Sequence, residues 1–398
     1  MERSTADPTR LPTTVKGLSL VSLFNDFASE MVYPLLPAFV ASLGGGAVAL
    51  GALDGASDLT AALLKWLSGR WADRPGWRKP LVLIGYATAL LVRPFIALAG
   101  AAWQVVGFRV IDRVGKGLRT PARDAMIASA TPPELTGRAF GLHRGADHFG
   151  ALLGSLAAWQ LLAHAVPVRS VVAWTWLPGV AVLLVLAVVL RRTPAAPTPA
   201  PAPTARPDAT GRVFWAPVTL LAALVLFRLP EAMLLLRLQQ LGVAVVTIPL
   251  VWAGLHVVRT LAAYPGGWLT DHLGTRGTVA GGGLLIAAVS WMLGAPLAAP
   301  EAVGTFLLLG LASGLLEPAE RALVARLAPV RTGRGFGAYH ALTGLAALPA
   351  GLAFGWIYEA AGAGTALRAS AVLLALTALA WLVTRSPGPP SPPPRPTR

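Results

Sequence analysis

The residues of this sequence that are best suited to chemistry are charged side chains inside long apolar stretches. Asp26 and Glu30 lie four residues apart in the first stretch, and Asp54 and Asp58 repeat that spacing in the second. Residues four apart share one face of a helix. An ionisable group at the centre of a bilayer costs about 2.5–3.5 kcal/mol, so such residues face a cavity or a partner. Asp26, Glu30 and Asp58 are therefore candidates for taking up and releasing protons.

The densest set of charges lies in residues 102–128. On a helix these side chains fall within an arc of about 140°. They are Arg109, Asp112, Arg113, Lys116, Arg119, Thr120, Arg123 and Asp124. Such a stripe cannot face lipid, so it either lines water or is neutralised by neighbouring carboxylates. The first alternative is a positive cavity wall that attracts anionic groups. The second is a structural network that includes an Asp112–Lys116 pair.

Further candidates follow in the remaining apolar stretches. Arg228 and Glu231 lie three residues apart, and His256 and Arg259 share a helix face. Glu317 and Arg321 lie four residues apart, a spacing that is typical of a structural ion pair. His256 is either a titrating group or a hydrogen-bonded packing residue. The complete candidate pathway is Asp26, Glu30, Asp58, Arg109, Asp112, Arg113, Lys116, Asp147, Arg228, Glu231, His256 and Arg259.

The composition indicates which kind of protein positions these residues. The 398 residues are 55% hydrophobic and 13% charged, whereas soluble domains are about 25% charged. An ordinary soluble enzyme is thereby excluded, and a membrane protein is predicted. The formal net charge of +15 fits cations in cytoplasmic loops and requires no nucleic-acid partner. The sequence holds no cysteine, no nucleotide-binding loop and no metal-ligand spacing, so neither a cofactor nor a metal is expected.

Apolar stretches long enough to cross a bilayer, about 20 residues each, recur along the whole chain. We predict twelve membrane-spanning helices at about residues 17–40, 48–68, 80–100, 102–128, 137–163, 168–190, 214–240, 246–268, 277–298, 301–326, 335–360 and 364–384. Lys and Arg concentrate in the even-numbered loops and at both ends of the chain. By the positive-inside bias, these loops and both termini are cytoplasmic.

Proline-rich segments divide the chain into domains. Residues 191–213 contain a Pro/Ala run without apolar periodicity, which is typical of an extended linker. Residues 386–398 form a second Pro-rich segment, a cytoplasmic tail. We therefore predict a six-helix bundle in residues 1–190 and another in residues 214–385. The fold class is all-α integral membrane protein, built as two pseudo-symmetric bundles.

The two halves repeat each other in sequence. Gly69, Asp73, Arg74, Gly76 and Arg78 follow the second span, and Gly267, Asp271, Gly274 and Arg276 follow the eighth. The two aspartates are 198 positions apart. A second motif, Thr-Gly-Arg at 136–138, recurs at 332–334 with an offset of 196. Two motifs with nearly one offset indicate an internally duplicated transporter fold.

These motifs resemble those of the major facilitator superfamily, and the resemblance covers all twelve spans. The loop from Gly69 to Arg78 is similar to the family signature G-x-x-x-D-R-x-G-R/K-R/K, and the sequence from Tyr33 to Pro37 resembles its P-x-x-P element. The segment beginning at Arg109 resembles the family's helix-4 pattern, with charges where amides or small residues are usual. The resemblance implies a rocker-switch transporter with a central cavity between its halves.

The loop signature also has a physical interpretation. Asp73 can pair with cations or helix dipoles of a neighbouring element in one conformation. Gly69 and Gly76 permit close packing and a tight turn. We expect this loop to stabilise the outward-facing state; the alternative is a positive-inside anchor with a turn.

The predicted function is secondary active transport of a small organic solute with an anionic group. We expect proton coupling, export and alternating access in a bacterial cytoplasmic membrane, by a monomer whose partners are solute, protons and lipid. The alternatives are a proton symporter that imports an organic anion and a multidrug/proton antiporter. Drug exporters of the family carry a Gly-Pro motif in helix 5 that this sequence lacks, which argues against the antiporter. No enzymatic activity is expected.

Overall fold

The computed structural model describes residues 11–72, 74, 76–131, 136–193, 212–327 and 332–383, and its regular structure there is helical. The helices of the first part are α1 (Thr13–Val32), α2 (Leu36–Ser42), α3 (Ala47–Ala72), α4 (Arg78–Phe95), α5 (Ala102–Ala130), α6 (Thr136–Ala163), α7 (Val168–Ala173) and α8 (Trp176–Arg192). Those of the second part are α9 (Arg212–Leu226), α10 (Glu231–Gln240), α11 (Ile248–Leu293), α12 (Ala299–Leu327), α13 (Thr332–Ala361) and α14 (Ala363–Val383). Most of the predicted linker and the tail lie outside the described residues.

Many of these helices are long and apolar enough to cross a membrane. Within the described ranges nine segments meet that condition by length and composition: Ala47–Ala72, Arg78–Leu98, Val168–Arg192, Phe214–Gln240, Val245–Ala263, His272–Leu293, Ala299–Val324, Gly337–Ala361 and Ala363–Val383. The helices α1, α5 and α6, which cover the three other predicted spans, hold many of the charged candidates. Twelve crossings and cytoplasmic termini stay predictions.

Several helices break where proline or glycine interrupts the backbone. A 3-10 turn at Tyr33–Leu35 separates α1 from α2, and residues 227–230 between α9 and α10 are non-helical. Within α11, Gly274 has φ 77° and ψ 159° and divides the helix into two segments. Gly76, its counterpart in the first half, has φ 80°, which side chains with a Cβ rarely adopt. The predicted tight turn at Gly76 is confirmed.

The helices pack as two groups. In the first group α6 packs on α1, and α3 and α4 pack on α5; in the second, α12 and α14 pack on α11, and α9 packs on α13. We call α1–α8 the N-terminal half and α9–α14 the C-terminal half. The two halves meet where α3 runs along α13 and where α6 runs along α11. A cavity between the halves is therefore walled by helices from both.

The crossing of α3 and α13 depends on glycine. A Cβ atom built on Gly351 would overlap the carbonyl oxygen of Gly51, and one built on Gly51 would overlap the carbonyl oxygen of Gly351. One turn further along α3, a Cβ on Gly55 would lie 2.7 Å from the Cα of Leu348. The two backbones are therefore in direct contact, as small residues allow between membrane helices.

The turn between α3 and α4 is fastened by basic side chains. Arg78 Nε donates to the carbonyl oxygen of Ala72 at 3.1 Å, at the end of α3. Lys79 Nζ donates to the carbonyl oxygens of Leu190 at 2.9 Å and Thr193 at 2.6 Å, at the end of α8. Cations at helix C-termini satisfy carbonyl groups that have no partner within the helix. This end of the N-terminal half is thus tied together.

Candidate functional site

A cavity of about 310 Å³ lies between the two halves, and a second of about 280 Å³ adjoins it. The two have several lining residues in common, among them Asp58, Arg113, Lys116, Arg228, Glu231 and Arg259. We call the two together the central cavity. Along α3 its lining runs from Asp54 to Lys65, so the cavity extends toward the turn between α3 and α4.

Most of the predicted pathway residues line this cavity. The first cavity is lined by Glu30, Asp58, Arg109, Arg113, Lys116, Arg228, Glu231, His256 and Arg259. Asp26, Asp112 and Asp147 line neither cavity. The side chains of Asp58 and Lys116 are exposed although both residues lie in the middle of helices, which indicates that the cavity admits solvent.

Asp112 is a structural residue in this conformation. Its side chain is fully buried, and it accepts a hydrogen bond from Arg93 Nε at 2.9 Å, with Arg109 Nη1 at 3.5 Å. Arg93 also donates to the carbonyl oxygen of Asn25 at 2.9 Å, which links α4 to α1. Within the described residues no ion pair joins Asp112 to Lys116, so that predicted pair is wrong. The reason is that Asp112 faces α4 whereas Lys116 faces the cavity.

The two other carboxylates outside the cavity make local contacts. Asp26 accepts a hydrogen bond from Asn25 Nδ2 at 2.8 Å. Asp147 lies 3.5 Å from Arg144 Nη1 and 3.8 Å from His143 Nε2, on its own helix. Both aspartates therefore have polar neighbours that do not belong to the cavity wall.

One end of the cavity is closed by Asp54. Its Oδ2 accepts hydrogen bonds from the hydroxyl of Tyr33 at 3.0 Å and from the backbone N–H of Ala232 at 3.1 Å. Ala232 is the second residue of α10, where a helix has amide groups without internal partners. A side chain of the N-terminal half therefore caps a helix of the C-terminal half.

A second carboxylate caps a helix in the opposite sense. Glu359 of α13 accepts a hydrogen bond from the backbone N–H of Val48 at 2.9 Å. Val48 is the second residue of α3, so here a side chain of the C-terminal half caps a helix of the N-terminal half. We call these two contacts the trans caps. They and the Gly51–Gly351 crossing lie on the same side of the cavity, which we call the closed end.

Glu30 also joins the two halves. Its Oε2 accepts a hydrogen bond from Trp252 Nε1 at 2.8 Å and lies 3.9 Å from His256 Nε2. The ring of Trp252 in turn packs on Tyr33, with centroids 5.0 Å apart. Glu231 and Arg259 form an ion pair beside this cluster. The closed end thus combines aromatic packing with carboxylates that bridge the halves.

Away from the closed end the cavity wall is rich in cations. Lys65, Arg113 and Lys116 come from the N-terminal half and Arg228 from the C-terminal half. Carboxylates are present too, but several have partners. Glu320 accepts a hydrogen bond from the hydroxyl of Tyr339 at 2.5 Å. Glu317 lies 3.4 Å from Arg321, and this predicted structural pair is confirmed.

Some residues of the site were not among the predicted pathway residues. Lys65 follows Asp58 by seven residues, two helical turns, and this spacing could have placed it on the same face. Tyr33 and Trp252 are aromatic residues, which in a membrane helix more often pack than bind. The partners of Asp54 could not be foreseen because they come from the other half of the chain.

The predicted gating loops are described in part. Asp73 and the side chain of Asp271 lie outside the described residues, so their predicted role is not tested. In this conformation a Cβ on Gly69 or on Gly267 would meet nothing within 4 Å. The close packing of Gly69 belongs to a loop expected to stabilise the outward-facing state, so it stays a prediction. Three further residues of the two gating loops lie within the described part of the chain. Arg74 donates its backbone N–H to Trp71 at 3.0 Å, Gly274 has φ 77°, and the Nε of Arg276 is buried without a hydrogen bond to any described residue.

The sequence matches a family model across almost its whole length. The model is described as the Major Facilitator Superfamily, and it matches residues 18–259 and again residues 232–398. The chain belongs to the major facilitator superfamily. The resemblance seen in the loop motifs is thereby confirmed, and the family and fold are those of multi-pass membrane transporters. The central cavity lies between the halves, as the resemblance implied.

Individual relatives agree with this family. An uncharacterised protein of Mycobacterium bovis is 29% identical over 358 residues, which are 87% of this chain and 86% of that protein. An uncharacterised MFS-type transporter of Methanocaldococcus jannaschii is 34% identical over 155 residues, and this match spans 39% of either chain. The multidrug resistance protein MdtH of Photorhabdus laumondii is 33% identical over 135 residues, 34% of this chain and 33% of that protein.

Solved structures share the fold. A bacterial homologue of the human lysosomal transporter Spinster, in an inward-facing and unoccupied conformation, is 18% identical with a TM-score of 0.71, over 93% of this chain and 95% of that one. A D-xylose–proton symporter is 17% identical with a TM-score of 0.73, over 92% and 96% of the two chains. At these identities the likeness concerns the fold.

Proposed function

We propose that this transporter carries a small organic anion together with protons, in the same direction, by alternating access between its two halves. The observation that carries the proposal is the placement of Asp58. This carboxylate lies exposed in the central cavity, where its charge interacts with the charges of Lys65 and Arg113. No hydrogen bond or ion pair within 4 Å joins it to another described residue.

The charge of Asp58 determines whether protonation favours or opposes anion binding. When it is ionised, it competes with a bound anion for the same cations. When it takes up a proton, the cations lose one of their counter-charges and attract an anion more strongly. Protonation and anion binding therefore favour each other. An inward proton gradient then drives uptake, which was the alternative to export in the sequence-based prediction.

This conformation suits binding and release of the solute on one side of the membrane. The trans caps and the Gly51–Gly351 crossing close one end, and the cavity extends toward the turn between α3 and α4. By the positive-inside bias that turn is cytoplasmic. The conformation is then inward-facing, and in it the solute exchanges with the cytoplasm.

The lining also bears on the competing multidrug function. About half of the residues that line each cavity are charged, whereas a bulky apolar drug needs a largely apolar pocket. The similarity to MdtH, which covers 33% of that protein, is the argument in favour of export. Transport of a drug in exchange for protons is therefore the outcome that the experiment must separate from symport.

The test is transport by the purified protein in liposomes. The probes are radiolabelled lactate, benzoate, succinate and glycerol 3-phosphate, with tetraphenylphosphonium as the drug-like cation. We expect at least one anion to enter faster when the outside is more acidic than the lumen, beyond its rate in protein-free liposomes. Anion movement against the proton gradient, or transport of tetraphenylphosphonium instead of any anion, would contradict the proposal.

The coupling is tested by Asp58→Asn, which keeps the shape of a protonated carboxyl. We expect this variant to retain anion exchange between the two sides while its uptake no longer responds to the pH gradient. The matched control is Glu301→Gln, since Glu301 lies exposed at the start of α12 and bonds the N–H of Ala298 at 3.1 Å. A normal pH response in Asp58→Asn would remove this residue from the coupling step.

A further inference from the structure

Several cations that line the central cavity have no carboxylate within 4 Å in the described part of the chain. Several lining carboxylates have other partners in the structure: Glu30 with Trp252, Asp54 with Tyr33 and Ala232, Glu231 with Arg259, Glu317 with Arg321, and Glu320 with Tyr339. These contacts fix the positions of the five carboxylates, which keep their charge, and none of the five forms an ion pair within 4 Å with Lys65, Lys116 or Arg228.

The remaining cations stand on both walls. Lys65, Lys116 and Arg228 have no ion pair within 4 Å in the part of the chain that the structure describes. Arg113 reaches Asp112 at 4.0 Å, but that carboxylate is held by Arg93 at 2.9 Å. Three of these four cations belong to the N-terminal half, whereas Arg228 belongs to the C-terminal half. Asp58 is the lining carboxylate that makes no hydrogen bond or ion pair within 4 Å to another described residue.

Arg228 owes its place to the break between α9 and α10. Its backbone N–H donates to Val225 at 3.3 Å, in a last helical turn, and Pro230 then begins the next helix as its N-cap. The carbonyl oxygen of Phe227 is held by the hydroxyl of Ser370 at 2.5 Å. These contacts fix the backbone on both sides of Arg228, which lines both cavities opposite Arg113 and Lys116.

We propose that the transported solute carries two separated anionic groups, one bound by Arg113 and Lys116 and the other by Arg228. This inference rests on the proposed function and specifies its substrate class. One carboxylate or phosphate forms a bidentate pair with one guanidinium. A solute with a single anionic group would pair with the cations of one wall and leave the other wall without an anionic partner within ion-pair distance. The fitting class is a short α,ω-dicarboxylic acid or a carboxylic acid that bears a phosphate.

Such a solute would also connect the two halves. Each anionic group binds a different half, so the full set of contacts forms when the halves are correctly placed around the solute. Differential binding of this kind is what shifts an equilibrium between two conformations. A monoanion of the same skeleton is expected to bind one wall and to shift the equilibrium less.

The experiment compares dicarboxylates with their monomethyl esters, which keep the skeleton and remove one charge. Binding of succinate, glutarate, adipate, 3-phosphoglycerate and the monomethyl esters of the three dicarboxylates to the purified full-length protein is measured by calorimetry. Because a hydrogen bond to a charged group is strong, we expect at least one diacid to bind about 10-fold or more tightly than its monoester. 3-Phosphoglycerate tests whether phosphate replaces one carboxylate.

The variants assign the second anionic group to Arg228. In Arg228→Gln we expect the diacid and its monoester to bind within about 2-fold of each other, because the second anionic group has lost its cation. Arg228→Lys keeps the charge and should retain most of the preference, which also shows that the position tolerates substitution. Arg192→Gln is the matched control, since Arg192 is exposed at the end of α8 and lines neither cavity.

Two results would overturn the inference. Equal affinities for diacid and monoester in the parent protein would show that the site binds one anionic group, while anion transport, and with it the proposed function, would stand. A preference that persists in Arg228→Gln would place the second group elsewhere. If no anion binds and none is transported, the proposed function fails together with the inference.

Discussion

Replacing Gly351 by alanine tests whether the packing of α3 on α13 holds the closed end together. A Cβ at this position would overlap the carbonyl oxygen of Gly51 and lie 2.7 Å from its carbonyl carbon. Carbon atoms in ordinary contact are about 3.5–4.0 Å apart. The two helices must therefore separate by about 1 Å at the crossing, because neither backbone can move aside as a flexible side chain would.

The energetic effect follows from that displacement. Overpacking in a close-packed interior costs about 1–3 kcal/mol. The cost falls on the conformation in which α3 and α13 touch, and it is relieved when the halves part at this end. We expect the ratio of open to closed molecules at this end to rise by about 5- to 150-fold, which is the same free energy expressed as a population.

The absence of cysteine from the sequence makes the assay direct. Cysteines introduced at Ala41 and Ala244, which are exposed and lie in opposite halves near the closed end, can carry spin labels for distance measurement. Gly351→Ala should raise the population of the longer distance. Gly304→Ala is the matched control, because a Cβ on Gly304 meets nothing within 4 Å. An unchanged distance distribution in Gly351→Ala would refute the argument, as would an equal change in the control.

Three further substitutions test other contacts. Asp112→Asn leaves a buried arginine cluster without its carboxylate and should destabilise the fold by about 3–5 kcal/mol, visible as a lower thermal unfolding midpoint; Asp124→Asn, at a carboxylate 37% exposed, should change the midpoint little. Asp54→Ala removes a trans cap and should weaken the closed end by about 1 kcal/mol, as read by the same spin labels; no change would mean that the cap does not contribute. Lys79→Met removes two hydrogen bonds to the end of α8 and should speed amide exchange of its last turn, and unaltered exchange would contradict that role.

The helices could be predicted well because the bilayer imposes a length. An apolar run of about 20 residues is a strong signal, and nine predicted spans correspond to helices that meet the criteria of length and composition. The breaks at Pro34 and Gly274 follow from backbone restrictions that can be read locally. The fold class therefore follows from the sequence, while the number of crossings stays a prediction for the more charged helices.

The site could be predicted in part. Charges in apolar helices indicated most of the cavity lining, because such residues must avoid lipid. Sequence could not separate Asp112, which faces α4, from Lys116 one turn away, which faces the cavity. The stripe covers a wide arc, and the direction in which each helix turns it depends on packing between helices.

The contacts between the halves are the part of the structure that is hardest to predict from the sequence. Asp54 and Ala232 are 178 positions apart, and Glu359 and Val48 are 311 positions apart. Neither carboxylate has a local motif that marks it as a cap, because a capping side chain normally belongs to the helix it caps. Only the relative placement of two bundles creates these pairs.

The trans caps have a consequence for the reversibility of closing. In the proposed alternating access the halves part at this end. The amide groups of Ala232 and Val48 and their carboxylate partners would then become hydrated, and water would replace each lost hydrogen bond. Such an exchange changes the free energy by about 0.5–1.5 kcal/mol per bond. The backbone contact of Gly51 with Gly351 has no comparable substitute in water. The caps are therefore suited to set the register in which the two bundles come together, while dry glycine packing determines how long they stay together.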